Sequence, residues 1–104
     1  LSLRDGFFAS SFFNETLKSF TLHPERSFMV MDGNRIVEGI VDLLCEKEDE
    51  VYIVDYKTDT YILESEHKNQ LNYYKAALKT IYPDKKIRAF VFYLRAPERV
   101  LMID

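Results

Sequence analysis

Apolar residues near the start of the chain recur at the spacing of a helix. Phe13, Leu17 and Phe20 fall on one helical face, so the segment 7–20 is predicted to be an amphipathic helix with an aromatic stripe in the core. The pair His23-Pro24 follows, and proline disfavours helical conformation in the residue before it. We therefore expect the first helix to end before His23.

A second helical pattern lies between Ser65 and Pro83. Ser65 is a suitable N-cap with Glu66 in the first turn, and the helix is predicted to end at about Tyr82 because Pro83 cannot continue it. The predicted buried stripe consists of Leu71, Tyr74, Ala77, Leu78 and Ile81. The predicted solvated face consists of Lys68, Lys75 and Lys79. The last two lysines could instead contact phosphates.

The remaining pattern is typical of strands. Phe28 and Val30 alternate with Met29 and Met31 in a short strand, and the pair Asp32-Gly33 is a hairpin signal that leads into the next strand. The further predicted strands are Arg35–Cys45, Val51–Lys57, Ile87–Leu94 and Val100–Ile103. Residues 46–50 are predicted to form the polar turn between the first two of these strands.

The order of these elements favours an α/β fold. A helix and three strands are followed by a second helix and two strands, an order that gives a mixed central sheet with flanking helices on both faces. Ile87–Leu94 is apolar on both faces in its middle, so we expect it in the sheet interior, beside the preceding hairpin. The strands of that hairpin are also largely apolar on both faces, which agrees with a covered sheet.

Composition and charge limit what this fold can be. With 104 residues and 47% hydrophobic content, we expect one domain spanning residues 1–104, within a longer polypeptide. The single Cys45 excludes an intrachain disulfide and a Cys-rich metal site. The absence of a membrane-length apolar run or a secretion signal favours a soluble, cytoplasmic protein without a membrane partner. A net charge of −3 argues against this domain binding nucleic acid without help from other parts of a protein.

Asp42 and Asp55 are the acids whose positions suggest chemistry. If the turn centres between Glu48 and Asp49, the two aspartates face each other across the hairpin, about 5 Å apart, where carboxylates repel and lose hydration. Lys57 follows Asp55 by two positions and so shares its face. A divalent cation with oxygen ligands would neutralise the acids and leave the lysine to act on an anion or a water.

An ordinary explanation exists for either aspartate taken alone. An aspartate at a strand end is commonly solvated or hydrogen-bonded to backbone. The register of the hairpin decides between the two interpretations, because a slip of one residue would send one carboxylate to the other face.

Three motifs in this region resemble those of the RecB-type nucleases of the PD-(D/E)XK superfamily, which are fused to helicases of the RecB and AddA type. They are Gly39-Ile-Val-Asp42 for Gly-x-x-Asp, Asp55-Tyr-Lys-Thr58 for Asp-Tyr-Lys-Thr, and Gln70-Leu-Asn-Tyr-Tyr74 for Gln-Leu-x-x-Tyr. The resemblance extends from about Glu25 to Leu94. It implies a restriction-endonuclease-like core, a mixed sheet with flanking helices.

The resemblance also implies roles for the matching positions. Asp42 and Asp55 would ligate Mg²⁺ or Mn²⁺, and the Tyr56 carbonyl would add another oxygen ligand. Lys57 would position the attacking water and stabilise the charged transition state.

The third motif implies a supporting role on the second helix. Gln70 and Tyr74 are one turn apart and share a face, where they would hold Lys57 or the DNA backbone. Ordinary helix packing remains the alternative for both residues.

Two parts of the family pattern match less well. The segment Glu25-Arg-Ser-Phe28 resembles a Glu-x-x-Phe strand, and we expect a structural role for Glu25. The family also supplies a metal-ligating histidine from an upstream helix, in a Gly-x-x-x-His setting that has no match here. We expect that ligand on an upstream segment, with His23 in the loop before the first strand and His67 in surface or capping roles.

The function implied is a Mg²⁺- or Mn²⁺-dependent deoxyribonuclease, an exonuclease working beside a helicase region of the same chain or complex in recombination and repair. One alternative is a non-catalytic module of the same fold that binds DNA or a protein partner. Another is an unrelated α/β interaction domain in which the acids only pair with Lys57. The residues do not distinguish DNA from RNA, strand polarity, or exonuclease from endonuclease action.

Overall fold

A computed structural model describes residues 3–58, 65–96 and 99–103, with side chains from residue 6 onward and from residue 67 in the second segment. The elements follow the predicted order. They are α1 (Leu3–Ala9), a π-helical segment (Phe13–Leu17), β1 (Thr21–Asp32), β2 (Arg35–Glu46), β3 (Glu50–Lys57), α2 (Ser65–Ile81), β4 (Lys86–Tyr93) and β5 (Val100–Ile103). The predicted capping side chains of Ser65 and Glu66 lie outside the described residues.

The described strands form one five-stranded sheet in the order β1-β2-β3-β4-β5. β1, β2 and β3 form an antiparallel meander, β4 lies parallel to β3, and β5 is antiparallel to β4. The parallel pairing of β3 and β4 requires a crossover, and α2 lies within it. The mixed α/β sheet and the interior position of β4 are thereby confirmed.

Buried side chains on the two faces of the sheet form two clusters. One cluster lies under α2, and its largest fully buried member is Tyr93. The other lies under the N-terminal helical segments, where the ring of Phe7 contacts Phe92 edge to face at 4.8 Å between centroids. Alternate residues of β3 and β4 face the two clusters, which explains why these strands are apolar throughout.

The predicted first helix is divided in two at Ser10. The Ser10 hydroxyl donates to the carbonyl of Phe7 at 2.5 Å and accepts from the backbone N–H of Phe13 at 3.2 Å. A serine side chain that binds nearby backbone groups competes with the regular helical ladder, and the helix changes to π geometry just beyond it. Leu17 and Phe20 are buried as predicted, Phe13 of the predicted stripe is partly buried, and Phe7 is also buried.

The β1–β2 hairpin differs from the prediction in length and turn. β1 has 12 residues rather than a short run, and it contains His23, which was expected in the preceding loop. Asp32 pairs with Arg35, so the turn residues are Gly33 and Asn34, with Gly33 at φ 63°. Glycine adopts this left-handed conformation without steric cost, which places it inside the turn.

One face of this hairpin is not covered. Phe28 and Val30 are buried, but the side chains on the opposite face remain exposed, in contrast to the prediction of a sheet covered on both sides. The exposed apolar residues are Met29, Met31, Ile36 and Ile40.

Two details of α2 also differ from the prediction. Ile81 is 43% exposed, because it is the last residue of the helix. Lys75 is not on a freely solvated face, since its ammonium donates to the carbonyl of Ile103 in β5 at 3.1 Å. Lys79 donates to the Lys85 carbonyl at 2.6 Å, whereas Lys68 is exposed.

Candidate active site

The register of the β2–β3 hairpin brings Asp42 and Asp55 together. Leu43 pairs with Val54, and each further pair towards the turn keeps the same register. One step beyond Leu43 and Val54, Asp42 lies opposite Asp55. The turn therefore centres where the sequence predicted, and the one-residue slip that would separate the carboxylates is excluded.

The neighbouring strand β1 is distorted at the same level of the sheet. Glu25 lies between the pairs Pro24–Leu43 and Arg26–Val41 and has a φ of 50°, which is uncommon for a residue with a side chain. In β2, Val41 and Leu43 pack on opposite faces of the sheet, although residues two apart in a regular strand share a face. The side chains of β2 thus change their facing beside Asp42, while the pairing register of β1 and β2 stays constant and neither strand gains an extra residue.

Asp42 is held by the backbone of β3. Its Oδ2 accepts a hydrogen bond from the Tyr56 N–H at 2.8 Å. Burial raises the pKa of Asp42, and the nearby Asp55 carboxylate raises it further, while the Tyr56 N–H and the Lys57 ammonium act in the opposite direction. The net direction is upward, with burial as the largest cause, so keeping Asp42 ionised at this position is unfavourable.

Asp55 contacts two cationic or potentially cationic groups at one oxygen. Lys57 Nζ lies 3.4 Å from Asp55 Oδ2, and His67 Nε2 lies 2.7 Å from the same atom. All three side chains are largely buried, with 21–31% of each exposed. The expected surface or capping role of His67 is therefore wrong, because the start of α2 lies over the end of β3.

His23 has no part in this cluster. Its Nε2 lies 3.4 Å from a carboxylate oxygen of Glu46, which Lys85 also contacts at 2.9 Å. The Lys85 hydrogen bond is the main influence that lowers the pKa of Glu46. These residues lie at the end of β2 beyond Asp42, where they join β1, β2 and the turn before β4.

Gln70 and Tyr74 meet on α2 as their spacing predicted. Gln70 Nε2 donates to the Tyr74 hydroxyl at 3.4 Å, and the Tyr74 ring packs edge to face on Phe28. The predicted contact of this pair with Lys57 is not among the hydrogen bonds of the described residues. Tyr74 therefore has a packing role in addition to any role at the site.

Gly39, the first residue of the Gly-x-x-Asp motif, allows these rings to approach. A Cβ at this position would lie 2.7 Å from Phe28 and 2.8 Å from Tyr74, closer than carbon atoms pack. The motif glycine thus has a steric explanation that sequence spacing alone does not reveal.

A cleft of ≈ 220 Å³ lies beside Asp55, between the β2–β3 hairpin and α2. Side chains of β2, β3 and α2 line it, and its polar side chains are Asp55, Gln70 and Tyr74. The lining residues are Ile40, Val41, Ile53, Val54, Asp55, Gln70, Leu71 and Tyr74. A substrate group placed there would lie against both Asp55 and the third motif.

The donor set suits a hard divalent cation with a largely aqueous coordination shell. Asp42 and Asp55 supply carboxylate oxygens, and magnesium sites commonly use one or two carboxylates with several waters. Within residues 3–58, 65–96 and 99–103, no three His, Cys, Asp or Glu side chains are already arranged around one point. The observation that favours a cation here is the adjacency of two partly buried carboxylates, Asp42 and Asp55, which raises the pKa of Asp42 beyond the effect of burial.

Known proteins match this chain over a segment that contains the candidate site. The family model for the PD-(D/E)XK nuclease superfamily matches residues 8–101. An ATP-dependent helicase/nuclease subunit from Clostridium acetobutylicum is 36% identical over 76 residues, covering 66% of this chain and 6% of the relative. The protein of the same name from Staphylococcus carnosus is 32% identical over 73 residues, covering 58% and 6%.

A third relative extends the comparison along the chain. The protein of the same name from Lactococcus lactis is 26% identical over 104 residues, covering 93% of this chain and 9% of the relative. The chain thus spans less than a tenth of the length of these relatives. In the described part of the chain, no helix is long and apolar enough to cross a membrane.

Proposed function

Because the chain belongs to the PD-(D/E)XK nuclease superfamily, we propose that it is a metal-dependent nuclease domain that hydrolyses phosphodiester bonds in DNA. The RecB-type resemblance and the restriction-endonuclease-like fold are confirmed by the family match and the similarity to helicase/nuclease subunits. The observation that carries the proposal is the arrangement of Asp42, Asp55 and Lys57 as one half-buried cluster at the end of the β2–β3 hairpin.

The proposed cation is Mg²⁺ or Mn²⁺, held by Asp42, Asp55 and the Tyr56 carbonyl. When bound, such an ion polarises a phosphate oxygen and lowers the pKa of a coordinated water. Asp42 is kept in place by the Tyr56 N–H, and Asp55 by Lys57 and His67. These contacts fix both carboxylates in position to bind the cation, so the carboxylates need not reorganise during the reaction.

Lys57 is the proposed catalytic cation. Its ammonium lies at the carboxylate pair, where it can orient an attacking water and stabilise negative charge that develops on the phosphate. Gln70 and Tyr74 line the cleft beside Asp55 and would contact the DNA backbone next to the scissile bond. Phosphate contacts of this kind position the strand without reading its sequence.

We also propose which larger protein contains this nuclease domain. The similarity to helicase/nuclease subunits supports one nuclease domain, residues 1–104, in a longer cytoplasmic polypeptide that includes a helicase. An exonuclease mode suits such an arrangement, because a helicase delivers strand ends. The net charge of −3 is consistent with DNA being held largely by other parts of that protein.

End-labelled single- and double-stranded DNA, incubated with Mg²⁺ or Mn²⁺, provides the test. We expect cleavage that EDTA abolishes and that Lys57→Ala slows by about 100- to 1,000-fold. Lys18→Ala, at an exposed position after the π-helical segment, is the matched control and should cut at the wild-type rate. Cleavage only by a chain extended upstream would locate the expected histidine ligand there, whereas folded chains of both lengths that do not cut would favour the non-catalytic DNA-binding module instead.

A further inference from the structure

His67 contacts the proposed cation site, although it belongs to none of the three motifs. It lies in the first turn of α2, and its Nε2 is 2.7 Å from Asp55 Oδ2. Its side chain is only 21% exposed, so the contact is not a transient surface pair. In the proposed site this imidazole has no role beyond holding Asp55 in place.

The distance between the two atoms suits ligands of one metal ion. Two adjacent ligands of an octahedral cation, each about 2.1 Å from it, lie about 3 Å from each other. His67 Nε2 and Asp55 Oδ2 have nearly this separation. A cation could therefore replace the proton between them with little movement of either side chain, since metals bind neutral imidazole and ionised carboxylate.

The helix does not need this contact for its attachment to the sheet. One turn later, Leu71 is 4% exposed, and Ala77 and Leu78 are also buried in the cluster under α2. His67 is thus carried on a helix that is already anchored. Its Nε2 is directed at the Asp55 carboxylate.

We propose that His67 is a nitrogen ligand of the cation bound by Asp55 and that it makes the site prefer Mn²⁺ to Mg²⁺. This inference rests on the proposed cation site at Asp42 and Asp55. Imidazole nitrogen binds first-row transition ions more readily than it binds Mg²⁺, which favours oxygen ligands. A nitrogen from α2 therefore changes the metal preference of a site that would otherwise offer only oxygen.

Pulsed electron paramagnetic resonance of the Mn²⁺-loaded chain tests this directly. The wild type should show coupling of Mn²⁺ to a histidine nitrogen, and the pattern should change when histidine is labelled with ¹⁵N. His67→Ala should remove the coupling. The chain has two histidines, so His23→Ala, which alters the pair with Glu46 away from the site, is the matched control and should retain it.

Metal affinity supplies a second readout. His67→Ala should weaken Mn²⁺ binding by about ten-fold or more, comparable with the loss of other groups that organise metal sites. Mg²⁺ binding should change by less than about two-fold, because Mg²⁺ gains little from nitrogen. Circular dichroism of each variant establishes that it is folded before the affinities are compared.

Bound Mn²⁺ without histidine coupling in the wild type would overturn the assignment of His67 while leaving the Asp42–Asp55 site intact. Coupling that persists in His67→Ala would do the same. Failure of the wild type to bind Mn²⁺ at all would overturn both this inference and the proposed cation site.

Discussion

Asp42 has a half-buried carboxylate whose negative charge is repelled by that of Asp55. Its raised pKa means that the folded protein binds the proton more tightly than the unfolded chain does. As the pH rises from near the ordinary value of 3.8 through the raised pKa, this group therefore lowers the free energy of unfolding. Such a decrease in the free energy of unfolding is common at functional sites.

Asp42→Asn should stabilise the metal-free protein at neutral pH. Asparagine removes the charge, and its side-chain oxygen can still accept the Tyr56 N–H. Thermal melts in EDTA at pH 7 should show a rise of roughly 4–8 °C, which corresponds to about 1 kcal/mol in a small domain. The difference from wild type should vanish below about pH 3, where Asp42 is protonated in both states.

Asp84→Asn is the control for this experiment, because Asp84 is exposed and far along the chain from the site. It should leave the melting temperature nearly unchanged. A destabilised Asp42→Asn protein at pH 7, with normal secondary structure, would show that the Asp42 charge is already balanced without a cation.

Gly39 gives a prediction about packing rather than charge. Gly39→Ala should destabilise the protein by about 1–3 kcal/mol, because the new methyl group would overlap the Phe28 and Tyr74 rings. Denaturant unfolding measures this cost. The cost should become smaller in a Phe28→Leu background, where more space is present, and an equal cost in both backgrounds would argue against the steric explanation.

At the scale of elements, the break between α1 and the π-helical segment depends on one buried hydroxyl. Ser10→Ala should destabilise the protein by about 1 kcal/mol, since the Phe13 N–H loses its partner and Ser10 itself is buried. Ser11→Ala, at the adjacent exposed position, is the control. Equal melting temperatures for the two variants would show that the hydroxyl does not define the break.

Most elements could be predicted from periodicity because burial and backbone geometry agree in them. The apolar strands β3 and β4 and the helix α2 are examples, and their bounds differ from prediction by a residue or so. The division at Ser10 could not be predicted, because it depends on one side-chain hydrogen bond rather than on hydrophobic spacing. The length of β1 was missed because its first half contains Pro24 and mostly exposed residues.

At the scale of the whole molecule, the site depends on contacts between distant parts of the chain. The hairpin register aligned Asp42 with Asp55, and this could be predicted because the turn composition located its centre. The position of His67 could not, because it depends on how α2 crosses the sheet. A histidine three residues before Gln70 on the same helix was the only signal, and it was weak.

The most direct test of the account is the rate of DNA cleavage as a function of Mn²⁺ concentration, in the wild type, Asp42→Asn and Glu46→Gln. The last variant makes the same carboxylate-to-amide change on β2 at a residue that pairs with Lys85 instead. Asp42→Asn should lower the maximal rate by about 100-fold or more and require more Mn²⁺, and Glu46→Gln should match the wild type. Cleavage by Asp42→Asn at the wild-type rate and Mn²⁺ requirement would contradict a catalytic cation at this carboxylate pair.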